Sequence, residues 1–184
     1  ISSDLSDKML TCLISVMDSI ETIDLNLLNL LCRLAVTAGN ARGVLESVLT
    51  LMWRFYCGPQ ACEEKSAELI RREMVNLMTR RAGQAIELPL MYCEQCIEQI
   101  QRQAREENGE SVQEYHGLRA LKLIQEIIES VNESACSLLE RLEQEHGLTQ
   151  LLVTDLSKYQ RQAYTVAATM LTTMDQETKD THTK

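Results

Sequence analysis

The chain has 184 residues, 45% of them hydrophobic and 24% charged, with a net charge of −9, seven Gly, two Pro and only 4% aromatic residues. The apolar fraction is too high for a disordered tail, and no run approaches the roughly 20 consecutive apolar residues that a membrane-spanning helix needs. An acidic chain with few aromatic platforms argues against nucleic acid as a direct ligand and against insertion into, or attraction to, an anionic membrane.

Leu, Met, Ala, Glu, Gln and Arg dominate, the residues that lose least conformational entropy in a helix. The expected fold is all-α with about seven helices. The first should run from about Asp4 to Ile20, with Leu5, Met9, Leu13, Met17 and Ile20 along its core face. Asp24 reads as the N-cap of a second, Leu-dense helix, Leu25 to Ala38, expected to be the most buried. Gly39-Asn40 closes it, and a third helix, about Ala41 to Tyr56, carries Val44, Leu45, Val48, Leu51, Met52 and Phe55 up to the stop at Gly58-Pro59.

After Pro59 the helices lengthen and their apolar residues fall into alternating steps of three and four, the 3.5-residue period of a coiled-coil seam. The fourth helix, about 60–82, has the seam Ala67, Ile70, Met74 and Leu77; the fifth, about 88–106, has Leu90, Cys93, Ile97, Ile100 and Ala104. These two are expected to form an antiparallel hairpin. The sixth carries Leu121, Ile124, Ile128, Val131, Ala135, Leu138 and Leu142 without a slip, which predicts one long helix over about 111–146 with weak points at Gly117 and Asn132. Gly147 ends it, and the seventh, about Leu148 to Met174, repeats the seam with Leu152, Leu156, Tyr159, Ala163, Val166, Met170 and Met174. The resulting division is a short-helix part over 1–58, a long-helix bundle over 59–174 packed on it as one unit, and a polar tail or linker over 175–184. Ile1 in place of Met, with no leader behind it, leads to the expectation that the chain is a segment of a longer protein.

The motifs that carry chemistry are few. Cys93-Glu-Gln-Cys96 has the spacing of a zinc or redox pair, and Cys57 and Cys62 offer two further thiolates. In the expected hairpin, however, Cys62 stands roughly 20 Å from Cys93 at 1.5 Å per residue, and no strand precedes the pair as a thioredoxin-like site requires. The cysteines therefore read as small apolar residues in a reducing, intracellular compartment, cytoplasmic or nuclear. His116, His146 and His182 do not stand four apart as paired ligands on one helix would, and His146, in a last helical turn, is expected to meet free carbonyls. No phosphate loop, dinucleotide turn or nucleophile elbow occurs, so no catalytic residue, no metal, no cofactor and no small-molecule substrate is expected. Arg71, Arg72, Arg80 and Arg81 alternate with Glu63, Glu64, Glu68 and Glu73 and read as a solvated face with internal ion pairs.

Two features point to protein partners. Residues 94–147 hold twelve acids against five bases, and within them Glu126, Glu129 and Glu133 offer a face to a basic partner. Trp53 and Tyr56 share one helix face beside Phe55, either cementing the junction at Gly58-Pro59 or lining a groove for a partner peptide. The runs Leu25-Asn-Leu-Leu-Asn-Leu-Leu-Cys-Arg-Leu34 and Val44-Leu-Glu-Ser-Val-Leu-Thr-Leu-Met52, closed by small residues, resemble the helix pairs of armadillo or HEAT-type α-solenoids over residues 1–58. Scaffold nucleoporins and giant ubiquitin ligases are similar in mixing short solenoid repeats with long helical hairpins. The resemblance implies a non-catalytic protein-binding scaffold segment that holds partner proteins or neighbouring repeats. The alternative is a free-standing regulatory bundle that binds an amphipathic helix in a groove. The two differ at the ends, because a solenoid piece leaves apolar faces such as Leu5, Met9 and Leu13 uncovered and an autonomous bundle closes over them.

Overall fold

A computed structural model describes residues 3–22, 24–37, 42–58, 61–81, 86–105, 114–154, 168–169, 171–173 and 175. The fold class is all-α: every regular element among these residues is a helix. The chain divides into two compact units, Ile1–Arg81 and Ala82–Lys184.

The first unit contains α1 (Ser3–Asp18), α2 (Leu25–Thr37), α3 (Arg42–Tyr56) and α4 (Glu64–Arg81). Asp24 caps α2 as its side chain suggests, its Oδ1 accepting from the backbone N–H groups of Asn26 at 2.8 Å and Leu27 at 3.3 Å. The core gathers on α3, where Leu45, Val48, Leu49, Leu51, Met52, Phe55 and Tyr56 are all buried. On α2 the buried face is Leu28, Leu31, Cys32 and Ala35, but Leu25 and Leu30 are exposed, so the Leu-dense helix is not the most buried one.

α3 also fastens α1. Arg54 donates from Nη2 to the Met17 carbonyl at 2.8 Å, and from Nη1 to the Asp18 carbonyl at 3.3 Å and the Asp18 carboxylate at 3.2 Å. A cation is placed on the orphan carbonyls and negative dipole end of α1, with the Phe55 ring 4.9 Å from the guanidinium carbon. Gly58 closes α3 by donating to the Trp53 carbonyl at 3.1 Å, and a Cβ there would stand 2.6 Å from the Arg54 backbone, so only glycine fits the turn.

The core face of α1 differs from the expected one. Of the expected stripe Met17 is buried, Leu13 and Ile20 are half-buried, and Leu5 and Met9 are exposed, while Leu10 joins Met17 in the core. α1 carries apolar residues around more than half of its circumference, and the face that α2 and α3 select lies about a fifth of a turn from the centre of the expected stripe. The division of the chain also falls later than the change of period. α4 buries its seam of Ala67, Ile70, Met74 and Leu77 and packs on α3 and α2, so it belongs to the first unit. Arg71, assigned to a solvated face, is buried and donates from Nη1 to the Tyr56 hydroxyl at 3.4 Å, whereas Arg72 is exposed.

The second unit contains α5 (Glu87–Arg105), α6 (Glu114–Ser130), a 3-10 turn (Asn132–Ser134), α7 (Ala135–His146) and α8 (Leu148–Thr154). Leu90, Cys93, Ile97 and Ile100 of α5 are buried, as are Leu121, Ile124, Ile128, Ala135, Leu138 and Leu142 of α6 and α7. The expected single helix over 111–146 is broken. Asn132 takes φ 47°, a left-handed conformation that Asn tolerates better than most residues, and the 3-10 turn begins there. α5 therefore packs on both α6 and α7. One unbroken rod over 114–146 would be about 50 Å long against about 28 Å for α5, so it could not lie along α5 over its whole length.

Gly147, at φ 59°, ends α7 in the left-handed form expected and donates to the Glu143 carbonyl at 2.9 Å. α8 opens where the seventh helix is expected, with Leu152 buried; Leu156, Tyr159, Ala163, Val166, Met170 and Met174 lie outside the described residues. Residues 168–169 and 171–173 are again helical, and Thr169 stands 3.5 Å from the Glu129 carboxylate. Of the polar tail only Asp175, which is helical, is described.

Replacing Ile128 or Leu138 with Ala should cost about 2–5 kcal/mol each by opening cavities, while Leu5→Ala should stay within about 0.5 kcal/mol; urea melts of the three variants check the core assignment. At the break, Asn132→Gly should be close to neutral and Asn132→Val should destabilise by about 1–2 kcal/mol, read by the same melts; an equal effect of the two would refute the left-handed assignment.

Candidate functional site

The side chains picked from the sequence fall in both units. On α6, Glu126 is half-buried and Glu129 exposed, the latter accepting from Gln125 Nε2 at 3.1 Å; the side chain of Glu133 lies outside the described residues, although its backbone is in the 3-10 turn. Glu126 and Glu129 stand three apart and so share one side of α6. In the first unit, Trp53 and Tyr56 do meet, their ring centroids 6.4 Å apart and tilted by 56°. Tyr56 is fully buried and Trp53 half-buried, so the pair is mainly core, and Trp53 is the member that a partner can touch.

A more continuous surface lies on α1. Leu5 is 50% exposed, Met9 43% and Val16 53%, and Cys12 between them is exposed as well. Steps of four, three and four residues put these four side chains on one stripe, and that spacing is the 3.5-residue period of a helix–helix seam. Single exposed apolar residues are ordinary on protein surfaces, but a stripe at seam spacing is not.

All seven cysteines are thiols, and Cys32, Cys57, Cys93 and Cys96 are buried. Burial, reinforced by the Glu73 carboxylate, pushes the Cys32 thiol up to about 12. Burial and then the Glu94 carboxylate raise that of Cys93 further still. Cys93 and Cys96 are both fully buried on α5, so the pair belongs to the packed face of that helix.

Sequence reasoning did not find one cluster. His146, in the last turn of α7, has its Nε2 3.2 Å from Oε1 of Glu94 on α5, and Glu145 completes a group whose ligand atoms all lie within 4.8 Å of one another. His146 thus meets a carboxylate from another helix rather than the expected free carbonyls. Arg141, one turn earlier, forks onto Oε1 of Glu145 from Nη2 at 3.0 Å and Nε at 3.2 Å. Glu94 and His146 are half-buried and Glu145 is exposed, so the group is open to water on one side. An imidazole with two carboxylates can hold a metal ion or share a proton. No sequence signal announces it, because Glu94 and His146 are 52 residues apart and meet only through the break at Asn132.

Comparison with known proteins gives no match: no protein-family model, no curated protein and no solved structure resembles this chain significantly.

His116 on α6 has its protonation disfavoured by burial and then by the neighbouring Arg119 guanidinium. Its folded value lies below the unfolded one of about 6.5, so the stability it contributes is fully present above that pH and is lost as pH falls through 6.5 toward the folded value. Urea midpoints measured from pH 7.5 to 5 should fall less steeply for His116→Gln than for the parent chain.

Proposed function

We propose that this chain is a non-catalytic protein-binding segment, a piece of a scaffold built from irregular helical layers, whose work is to hold another helix against α1. The stripe of Leu5, Met9, Cys12 and Val16 carries this reading. A helix satisfied within its own fold turns such a row inward, as α4 does with Ala67, Ile70, Met74 and Leu77. α1 buries Leu10 and Met17 and leaves a second row facing water at the spacing of a helical partner.

The occupant on this reading is an amphipathic helix, supplied by a neighbouring repeat or by another protein. The acidic side of α6 with Glu126 and Glu129 adds attraction for a basic partner. The armadillo or HEAT-like character of residues 1–58, a scaffold role of the nuclear-pore or giant-ligase kind, and a reducing intracellular setting belong to the same proposal. The exposed apolar row at helix–helix spacing supports the protein-binding, non-catalytic part of it.

The experiment compares tagged 1–184 with a triple variant, Leu5→Glu, Met9→Glu and Val16→Glu, by affinity capture from a cytosolic extract and by sedimentation. Each apolar side chain contributes roughly 1.5–3 kcal/mol when fully buried, so the variant should weaken a captured partner or self-association by at least about a hundredfold while its melting temperature barely moves. A partner retained with undiminished affinity would overturn the assignment of the α1 stripe.

A further inference from the structure

We propose that Glu94, Glu145 and His146 form a binding site for a zinc-class divalent cation that fastens the last turn of α7 to α5. The chemistry of the donors selects the class. One imidazole nitrogen with two carboxylates suits borderline transition metals, whereas calcium takes six to eight oxygens and magnesium prefers an octahedron of them.

The distances fit. At metal–ligand bonds of about 2.0–2.1 Å, two ligands on a tetrahedral zinc stand about 3.3 Å apart, and His146 Nε2 is 3.2 Å from Glu94 Oε1. The two atoms now share a hydrogen. A cation between them replaces it, with Nε2 of the neutral imidazole as ligand and the single ring proton on Nδ1, so no charge is left unbalanced on the ring. Glu145 brings the third donor within 4.8 Å of both, and its exposure leaves the remaining position to water.

The electrostatics favour a divalent ion in spite of Arg141. Two carboxylates, one guanidinium and a neutral imidazole sum to one negative charge, and the negative end of the α7 dipole adds to it. Arg141 forks onto Oε1 of Glu145, which orients that carboxylate. Glu143 is engaged elsewhere, its Oε2 accepting from the Thr149 N–H at 2.8 Å at the start of α8. The thiol nearest in sequence, Cys93, is fully buried on the core face of α5 and does not compete.

The test titrates ZnCl2 into the full chain by calorimetry and repeats the titration on Glu94→Gln, Glu145→Gln and His146→Gln. One zinc should bind per chain and raise the melting temperature, and each variant should bind at least tenfold more weakly. Glu145 is exposed, so Glu145→Gln keeps the test decisive even if a substitution at the half-buried positions unfolds the unit. CoCl2 serves as a second probe: ligation by one nitrogen and two carboxylates gives visible d–d bands without the near-ultraviolet thiolate-to-cobalt absorption. No saturable site, thiolate absorption from the bound cobalt, or unchanged affinity in Glu145→Gln would each overturn the proposal.

Discussion

Asn132 stands at φ 47°, where a Cβ crowds the following carbonyl, and the direction of the chain after Ser130 follows from that one residue. A left-handed residue costs about 1–2 kcal/mol, and less for Asn than for most others. What it makes possible is larger. α6, at about 25 Å, nearly exhausts the length of α5, so a straight continuation would carry Leu138 and Leu142 beyond the apolar face that buries them. Two leucines are worth roughly 3–6 kcal/mol on burial, and the comparison settles in favour of the break. The 3-10 turn then returns α7 onto α5 and sets His146 beside Glu94.

The seam residues of the longer helices were legible in the sequence for the reason that makes seams work. Steps of three and four repeat only if one side of a helix faces another helix, so Ala67, Ile70, Met74 and Leu77, and Leu121, Ile124, Ile128, Leu138 and Leu142, are buried as their spacing demands. Periodicity names the face but not the neighbour. α4 could satisfy its row on α3 or on the next helix, and the tight turn at Gly58, with Cys62 donating to the Phe55 carbonyl at 2.9 Å, folds it back onto α3. The break at Asn132 was hidden because seven residues separate Ile128 from Ala135, so the heptad count runs through it unchanged.

The candidate sites divide along the same line. The aromatic pair and the α6 acids were visible because their members lie three residues apart on one helix. α1 is turned part way from its expected face, keeping Met17 buried but taking Leu10 inward instead of Leu5 and Met9, since Leu5, Met9, Leu10, Leu13, Ile14, Val16 and Met17 offer two overlapping apolar stripes and local pattern does not rank them. The choice is made by tertiary contacts, chiefly Arg54, which reaches from α3 to the end of α1 and fixes how that helix is turned. The Glu94–His146 pair had no local signal at all, because it is created by chain reversal and not by spacing.

One rule then accounts for both the filled and the unfilled surfaces. Among the described helices, α4, α5, α6 and α7 carry apolar residues at seam spacing and bury them. α1 carries two such rows, and α2 and α3 cover only one of them. Turning α1 to bury Leu5, Met9 and Val16 would expose Leu10 and Met17 in exchange and would pull the Met17 and Asp18 carbonyls from Arg54, so the isolated fold gains nothing by hiding the second row. A partner helix of the kind proposed above would satisfy it without that exchange, adding burial on one side while the Arg54 clamp stays in place on the other. The exposed stripe is thus the unmet half of the packing scheme that builds the rest of the chain.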